Sequence, residues 1–199
     1  WDGSSWFPTP SPTEDVLLSV HATSGAKAWA VGFDGTIKWN GSNWSTVSSP
    51  AELALTSVYV LSENKAWAVG YGGTILKWDG WSWSVIQSPT GDVLRSIYML
   101  TENEGWVVSD GGEILKWDGS SWQIVDTPVN FPLVSIHMLS SNEGWAVGES
   151  GTILKWDGEE WSTVISPTEN SLWSVYMLSS NEGWAVGESG TILKWDGEE

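Results

Sequence analysis

Apolar and polar residues alternate along this chain in short runs, and the runs recur. From Leu172 to Leu178 the residues alternate, then meet the turn cluster Ser179-Ser180-Asn181-Glu182-Gly183. Trp184-Ala185-Val186 follows, then Gly187-Glu188-Ser189-Gly190, whose glycine placement suits a tight hairpin. Thr191 to Trp195 is a further strand-forming run, closed by Asp196-Gly197. One repeat earlier the same Asp157-Gly158 turn leads into a fourth run, Trp161 to Ile165, and Ser166-Pro167-Thr168 crosses to the next unit. A period of two predicts half-buried strands, and no stretch shows capped helical periodicity. Each unit is therefore predicted to be four antiparallel strands with almost no helix.

The repeat dominates the sequence. Trp-Asp/Asn-Gly begins at Trp1, Trp39, Trp78, Trp117, Trp156 and Trp195, with steps of 38, 39, 39, 39 and 39 residues. A second tryptophan column is Trp6, Trp44, Trp83, Trp122 and Trp161, and a third is Trp29, Trp67, Trp106, Trp145 and Trp184. Only Trp81 and Trp173 lie outside the columns. Lys38, Lys77, Lys116, Lys155 and Lys194 recur in phase, and residues 138–160 and 177–199 are identical. Four strands in about 39 residues is the size of a β-propeller blade, which cannot bury both faces alone and must stack on its neighbours. The fold class expected is all-β: a single five-repeat propeller over residues 1–199, with units of about 1–38, 39–77, 78–116, 117–155 and 156–194. Indoles repeated in every blade are assigned to blade-to-blade packing.

The ends bear on closure. Complete blades are expected at 16–48, 53–87, 93–126 and 132–165, with a fifth at 171–195 that lacks its fourth strand. Ser4 to Phe7 reads as a fourth strand and is expected to complete that blade, closing the ring and removing its edges. The competing arrangements are pairing with another copy of the chain, or a five-repeat window of a longer array.

The segment Gly144-Trp145-Ala146-Val147-Gly148-Glu149-Ser150-Gly151-Thr152-Ile153-Leu154 resembles the repeat of BNR/Asp-box-like propellers, including the photosystem II assembly-factor type and secreted prokaryotic propellers. Ala66 to Leu76 and Gly183 to Leu193 share it closely, and Ala28 to Ile37 and Gly105 to Leu115 less so. Asp157-Gly158-Glu159-Glu160-Trp161 is one residue shorter between Asp and Trp than the Asp box. The Trp-Asp pair is shared with WD-repeat propellers, whose Gly-His dipeptide is absent. The resemblance implies a propeller fold; it does not specify a function.

Composition narrows the chemistry. There is no Cys, which removes disulfides, thiolate metal sites and Cys nucleophiles. Twenty-five acidic against eight basic residues give a net charge of −17, wrong for a phosphate backbone or an anionic membrane surface. No apolar run is long enough to span a membrane. Arg95 is the sole arginine, too few for the arginine cluster that a sialidase, the best-known Asp-box enzyme, requires. His21 and His137 share a column with Tyr59, Tyr98 and Tyr176, which suits a packing ring better than a metal site. Ser19, Ser57, Ser96, Ser135 and Ser174 repeat identically, so none stands out as a nucleophile. The carboxylate pairs Glu159/Glu160 and Glu198/Glu199 fall in turns. No Asp-x-Asp-x-Asp-Gly calcium loop is present, and the acids, Asp2 and Asp34 among them, are assigned to solubility, with attraction of a cationic partner or a divalent cation as the alternative.

The expected function is a non-enzymatic scaffold for protein interaction or self-assembly, with no cofactor, no metal and no nucleic-acid partner. A multivalent lectin is the alternative: Trp81 and Trp173 would stack on a sugar, and Asp79, Asp118 and Asp157 would hydrogen-bond it. A recently amplified or designed repeat without a selected ligand is a third reading. Composition and the start at Trp1 point to secretion or surface display.

Overall fold

A computed structural model describes residues 4–24, 27–33 and 35–198. Trp1, Asp2, Asp34 and Glu199 lie outside the described residues. The first blade is β1 (Leu17–Ser24), β2 (Lys27–Gly32), β3 (Gly35–Trp39) and β4 (Trp44–Val47), and the second is β5 (Leu55–Ser62), β6 (Lys65–Gly70), β7 (Ile75–Trp78) and β8 (Trp83–Val85). The third comprises β9 (Leu94–Thr101), β10 (Glu104–Ser109), β11 (Ile114–Trp117) and β12 (Trp122–Val125). The fourth comprises β13 (Leu133–Ser140), β14 (Glu143–Gly148), β15 (Ile153–Trp156) and β16 (Trp161–Thr163). The fifth has three strands, β17 (Leu172–Ser179), β18 (Glu182–Gly187) and β19 (Ile192–Trp195). Every sheet is an antiparallel meander. The architecture is the five-bladed all-β propeller expected from the period.

One detail differs from expectation. Residues 4–10 form no strand, and the fifth sheet ends at β19, so the N-terminal segment does not complete the last blade. The hydrophobic clusters join blade one to two, two to three, three to four and four to five, and go no further among the described residues. Among the described residues no strand pairs with the outer edge of β19.

The core lies between blades. Trp29, Trp67, Trp106 and Trp145 are buried, each packed on the third-strand tryptophan of the next blade with ring centroids 4.7–5.0 Å apart. The edge-on and tilted geometries are those that aromatic quadrupoles favour. Fourth-strand indoles complete three of these boxes: Trp83 against Trp29, Trp122 against Trp67, and Trp161 against Trp106. The recurring lysines fit the same boxes. Lys77 Nζ lies 4.9 Å from the ring centroid of Trp67 and 5.4 Å from that of Trp117, and Lys38, Lys116 and Lys155 bridge their pairs likewise. A cation over two indole faces covers apolar surface with its stem while its charge stays near water.

The inner strands are tied by a second device. The amides of Val58, Ile97 and Val175 donate to the hydroxyls of Ser19, Ser57 and Ser135 in the preceding blade at 3.2–3.3 Å. The serine column satisfies backbone donors at three of the blade junctions. Beside it, His21, Tyr59, Tyr98, His137 and Tyr176 stack in a continuous ladder with centroids 4.3–4.9 Å apart.

The turn between second and third strands contains a single 3-10 turn in three blades, Tyr71–Gly73, Glu149–Gly151 and Glu188–Gly190. Gly151 sits at φ +69°, and a Cβ there would overlap the Thr168 carbonyl oxygen of the crossing segment. A glycine is needed both for the left-handed conformation and for the close approach.

Candidate functional site

Antiparallel strands sort the loops into two ends. One end collects the turns between first and second strands and the Trp-Asp/Asn-Gly turns between third and fourth. The other, the crossing end, collects the turns between second and third strands and the segments that pass to the next blade.

The Trp-Asp-Gly end is uniform and internally satisfied. Asp79 Oδ1 accepts the amides of Trp81 and Ser82 at 2.8 and 2.9 Å, Asp118 those of Ser120 and Ser121, and Asp157 those of Glu159 and Glu160. These are Asx turns, in which a short carboxylate replaces a backbone acceptor. Hydrogen bonding to the ionised form lowers all three pKa values; that of Asp118 falls to about 2, chiefly through the Ser120 hydroxyl. Trp81 projects from its turn with 92 % of its surface exposed. Trp173 lies at the start of β17, at the crossing end, half exposed. The five residues singled out in the sequence are thus divided between both ends and do not converge on one site.

The crossing end is where the units differ. Three neighbouring repeat positions there vary from blade to blade, although blades four and five share Glu at the third. The first holds Asp15, Leu53, Asp92, Phe131 and Asn170; the second holds Leu18, Thr56, Arg95, Val134 and Trp173. The third holds Phe33, Tyr71, Asp110, Glu149 and Glu188. The scaffold beneath is constant: the third-position amides of Phe33, Tyr71, Asp110, Glu149 and Glu188 each donate to a carbonyl of the segment entering the first strand, at 2.9–3.1 Å. A fixed backbone therefore displays a variable set of side chains. Val16, Leu18, Phe33, Leu53, Phe131 and Trp173 are exposed there, interspersed with Glu14, Asp15, Glu52 and Asp92.

Arg95 is the one guanidinium on this end. It forms a bidentate pair with Asp110, Nε to Oδ1 at 2.5 Å and Nη2 to Oδ2 at 2.6 Å, and Tyr71 of the preceding blade also bonds to it. The Asp110 carboxylate raises the Arg95 pKa. This pair locks one inner-rim position and fixes the Arg95 charge in place. Of the crossing-end residues, the sequence marks only Trp173 as a candidate contact. The signal that marks the others is divergence between aligned repeats at positions that fall in one spatial region, and the strand ends must be known before those positions can be seen as neighbours.

His137 is buried within the aromatic ladder, and His21 Nδ1 accepts the Val60 amide at 3.1 Å. Burial lowers the pKa of both imidazoles. Among the described residues no three His, Asp or Glu side chains are grouped so as to hold a metal ion. No helix among them is long and apolar enough to cross a membrane.

Comparison with known proteins agrees with this geometry. No curated protein matches the chain. Among solved structures, the crystal structure of the WD40 β-propeller domain of Doa1 is similar with a TM-score of 0.80 at 17 % identity over 92 % of this chain and 64 % of that one. The RRP9 WD40 repeats give a TM-score of 0.78 at 11 % identity over 94 % and 64 %. The structure of YCF48 bound to D1 peptide gives 0.52 at 18 % over 93 % and 79 %. The chain therefore spans less than two thirds of the two WD40 chains it resembles. At these identities the likeness concerns the fold. The profile of the photosynthesis system II assembly factor YCF48 family matches residues 79–196, more than half of the chain, and the chain belongs to that family.

Proposed function

We propose that this protein is a non-enzymatic interaction scaffold that binds an extended segment of a partner protein at the crossing end of its blades. The observation that carries the reading is the distribution of sequence difference between blades four and five. Residues 138–160, the crossing-end turn Glu149–Gly151 included, repeat without change as 177–199, whereas 131–137 and 170–176, which enter and begin the first strand at the crossing end, differ at five of seven positions. Residues that every blade needs are constant, and residues that touch a partner are free to differ. Membership of an assembly-factor family supports a protein partner, and so does similarity to a structure of YCF48 bound to D1 peptide.

The chemistry of the end supports a partner of one kind. Exposed Phe33, Leu53, Phe131 and Trp173 offer apolar contacts, and the surrounding carboxylates belong to a chain of net charge −17. A segment with lysines or arginines flanking a large apolar side chain matches both features. The test is an array of short peptides that vary in charge and apolar content, followed by titration of the binders. Basic peptides with an apolar anchor should bind, and Phe131→Asn or Trp173→Val should weaken them while Trp81→Ala should not. Binding that is absent, or that depends on Trp81 and ignores Phe131 and Trp173, would overturn the proposal.

A further inference from the structure

The turn that joins β3 to β4 departs from its repeat mates in one chemical group. Where Asp79, Asp118, Asp157 and Asp196 carry carboxylates, blade one carries the side-chain amide of Asn40, followed by Gly41. This is the only Asn-Gly pair in the chain, and each of the other seven asparagines precedes a residue with a Cβ. Asn40 and Gly41 are exposed. The Asn40 backbone N–H donates to the Asn43 carbonyl at 3.2 Å, and Asn40 Oδ1 accepts the backbone amides of Ser42 and Asn43 at 2.9 Å each. Gly41 sits at φ +100°, a left-handed conformation that glycine adopts without strain.

Two properties of this turn make the Asn40 side chain reactive toward its own backbone. Attack by the Gly41 nitrogen on Asn40 Cγ closes a five-membered ring, and glycine puts no side chain in its path. The amides of Ser42 and Asn43 point at the oxygen on which negative charge develops as that bond forms, as donors do in an oxyanion hole. We propose that Asn40 is a site of self-modification: in the folded turn the Gly41 nitrogen attacks Asn40 Cγ and expels the side-chain nitrogen as ammonia. Water is the only co-reactant. The Gly41 N–H gives its proton to solvent base, the N–Cγ bond forms, the Cγ–Nδ2 bond breaks, and Nδ2 leaves with a proton taken from water. A second water opens the ring. Addition at Cγ gives aspartate; addition at the Asn40 main-chain carbonyl gives isoaspartate, in which the main chain runs through Cβ and Cγ.

The aspartate product is the residue that the other turns already hold. Asp79, Asp118 and Asp157 take the same pair of amides on Oδ1 at 2.8–2.9 Å. The exchange therefore fits the fold, and it adds one negative charge to a chain of net charge −17. An ionised carboxylate is a poor electrophile, so those turns do not share the reaction. The isoaspartate product instead inserts a methylene into the main chain of a hairpin whose mouth is the Trp39–Trp44 pair, with ring centroids 5.6 Å apart. One product restores the repeat; the other lengthens its tightest turn.

The test follows the full chain in mildly alkaline buffer, where more of the Gly41 amide is deprotonated. Peptide maps should show the segment with Asn40 exchanging an amide for an acid, while the other seven asparagines keep their amides. Ion exchange should resolve a more acidic form that coincides with Asn40→Asp, and an isoaspartyl methyltransferase should label the remaining product. The rate should rise with pH. Asn40→Gln has to close a six-membered ring, and both the acidic form and the methylation should be lost. Should that variant fail to fold, the parent chain still decides the matter. An Asn40 that keeps its amide in the folded chain would overturn the proposal, and so would ammonia loss that begins only once urea unfolds the chain.

Discussion

The Ser135 hydroxyl accepts a hydrogen bond from the Val175 amide at 3.2 Å, although the two residues lie 40 positions apart and in different blades. Ser19, Ser57 and Ser135 thereby have a structural role: each supplies an acceptor to a neighbouring inner strand that no sheet ladder reaches. Ser135→Ala leaves that amide without its acceptor, and the expected cost is about 1–3 kcal/mol, the desolvation penalty of an unpaired buried donor. Urea denaturation should show a lower midpoint, and Ser57→Ala should behave alike through Ile97.

Trp106 and Trp81 provide the sharpest contrast among the indoles. Trp106 is fully buried and packs against Trp156 and Trp161 of the next blade, whereas Trp81 is almost wholly exposed. Trp106→Ala should cost about 3–5 kcal/mol through lost burial and the cavity left behind. Trp81→Ala should change stability by about 0.5 kcal/mol at most. Paired melting curves check both.

The aromatic ladder imposes a pH dependence. Burial lowers the pKa of His21 and His137 in the folded chain, while in the unfolded chain they titrate near the ordinary value of 6.5. The unfolded state therefore takes up protons first as pH falls, and stability present above that value is lost as pH drops toward the folded pKa. Denaturation midpoints should fall between pH 7.5 and pH 5.5. The double variant His21→Tyr/His137→Tyr should lose less, since tyrosine fills the same repeat position in the other blades.

The Asx turns titrate in a separate, more acidic range. Asp118 is held at about 2, mainly by the Ser120 hydroxyl and then by the amides of Ser121 and Ser120. Carboxyl-carbon NMR should place its midpoint below that of an ordinary aspartate, and Ser120→Ala should move it upward. An unchanged midpoint in that variant would remove the hydroxyl from the explanation.

How much of this was legible beforehand depended on repetition. The Trp29, Trp39 and Trp44 columns gave period, strand number and packing role together, because a wedge between stacked sheets requires the same bulk in each unit. Ser4–Phe7, read as the fourth strand of blade five, forms no strand and adds to no sheet among the described residues. A repeat position says what a segment can pair with; whether one chain can bring it to β19 depends on the curvature accumulated over five blades. Asp79, Asp118 and Asp157 looked like ligand groups because their turns are exposed, yet their Oδ1 atoms are engaged by their own backbones. Phe33, Leu53 and Phe131 escaped notice since they are unlike one another, and a search for sameness passes over such residues.

The division between constant architecture and a variable binding end can be tested in one chain. Phe33→Glu, Leu53→Asn, Phe131→Asn and Trp173→Val install at each position the residue that blade four or five already carries there. The measurement is peptide affinity of this fourfold variant set beside its melting temperature. The account predicts a melting temperature close to that of the parent chain and loss of peptide binding. Retained affinity, or unfolding caused by these exchanges, would contradict it.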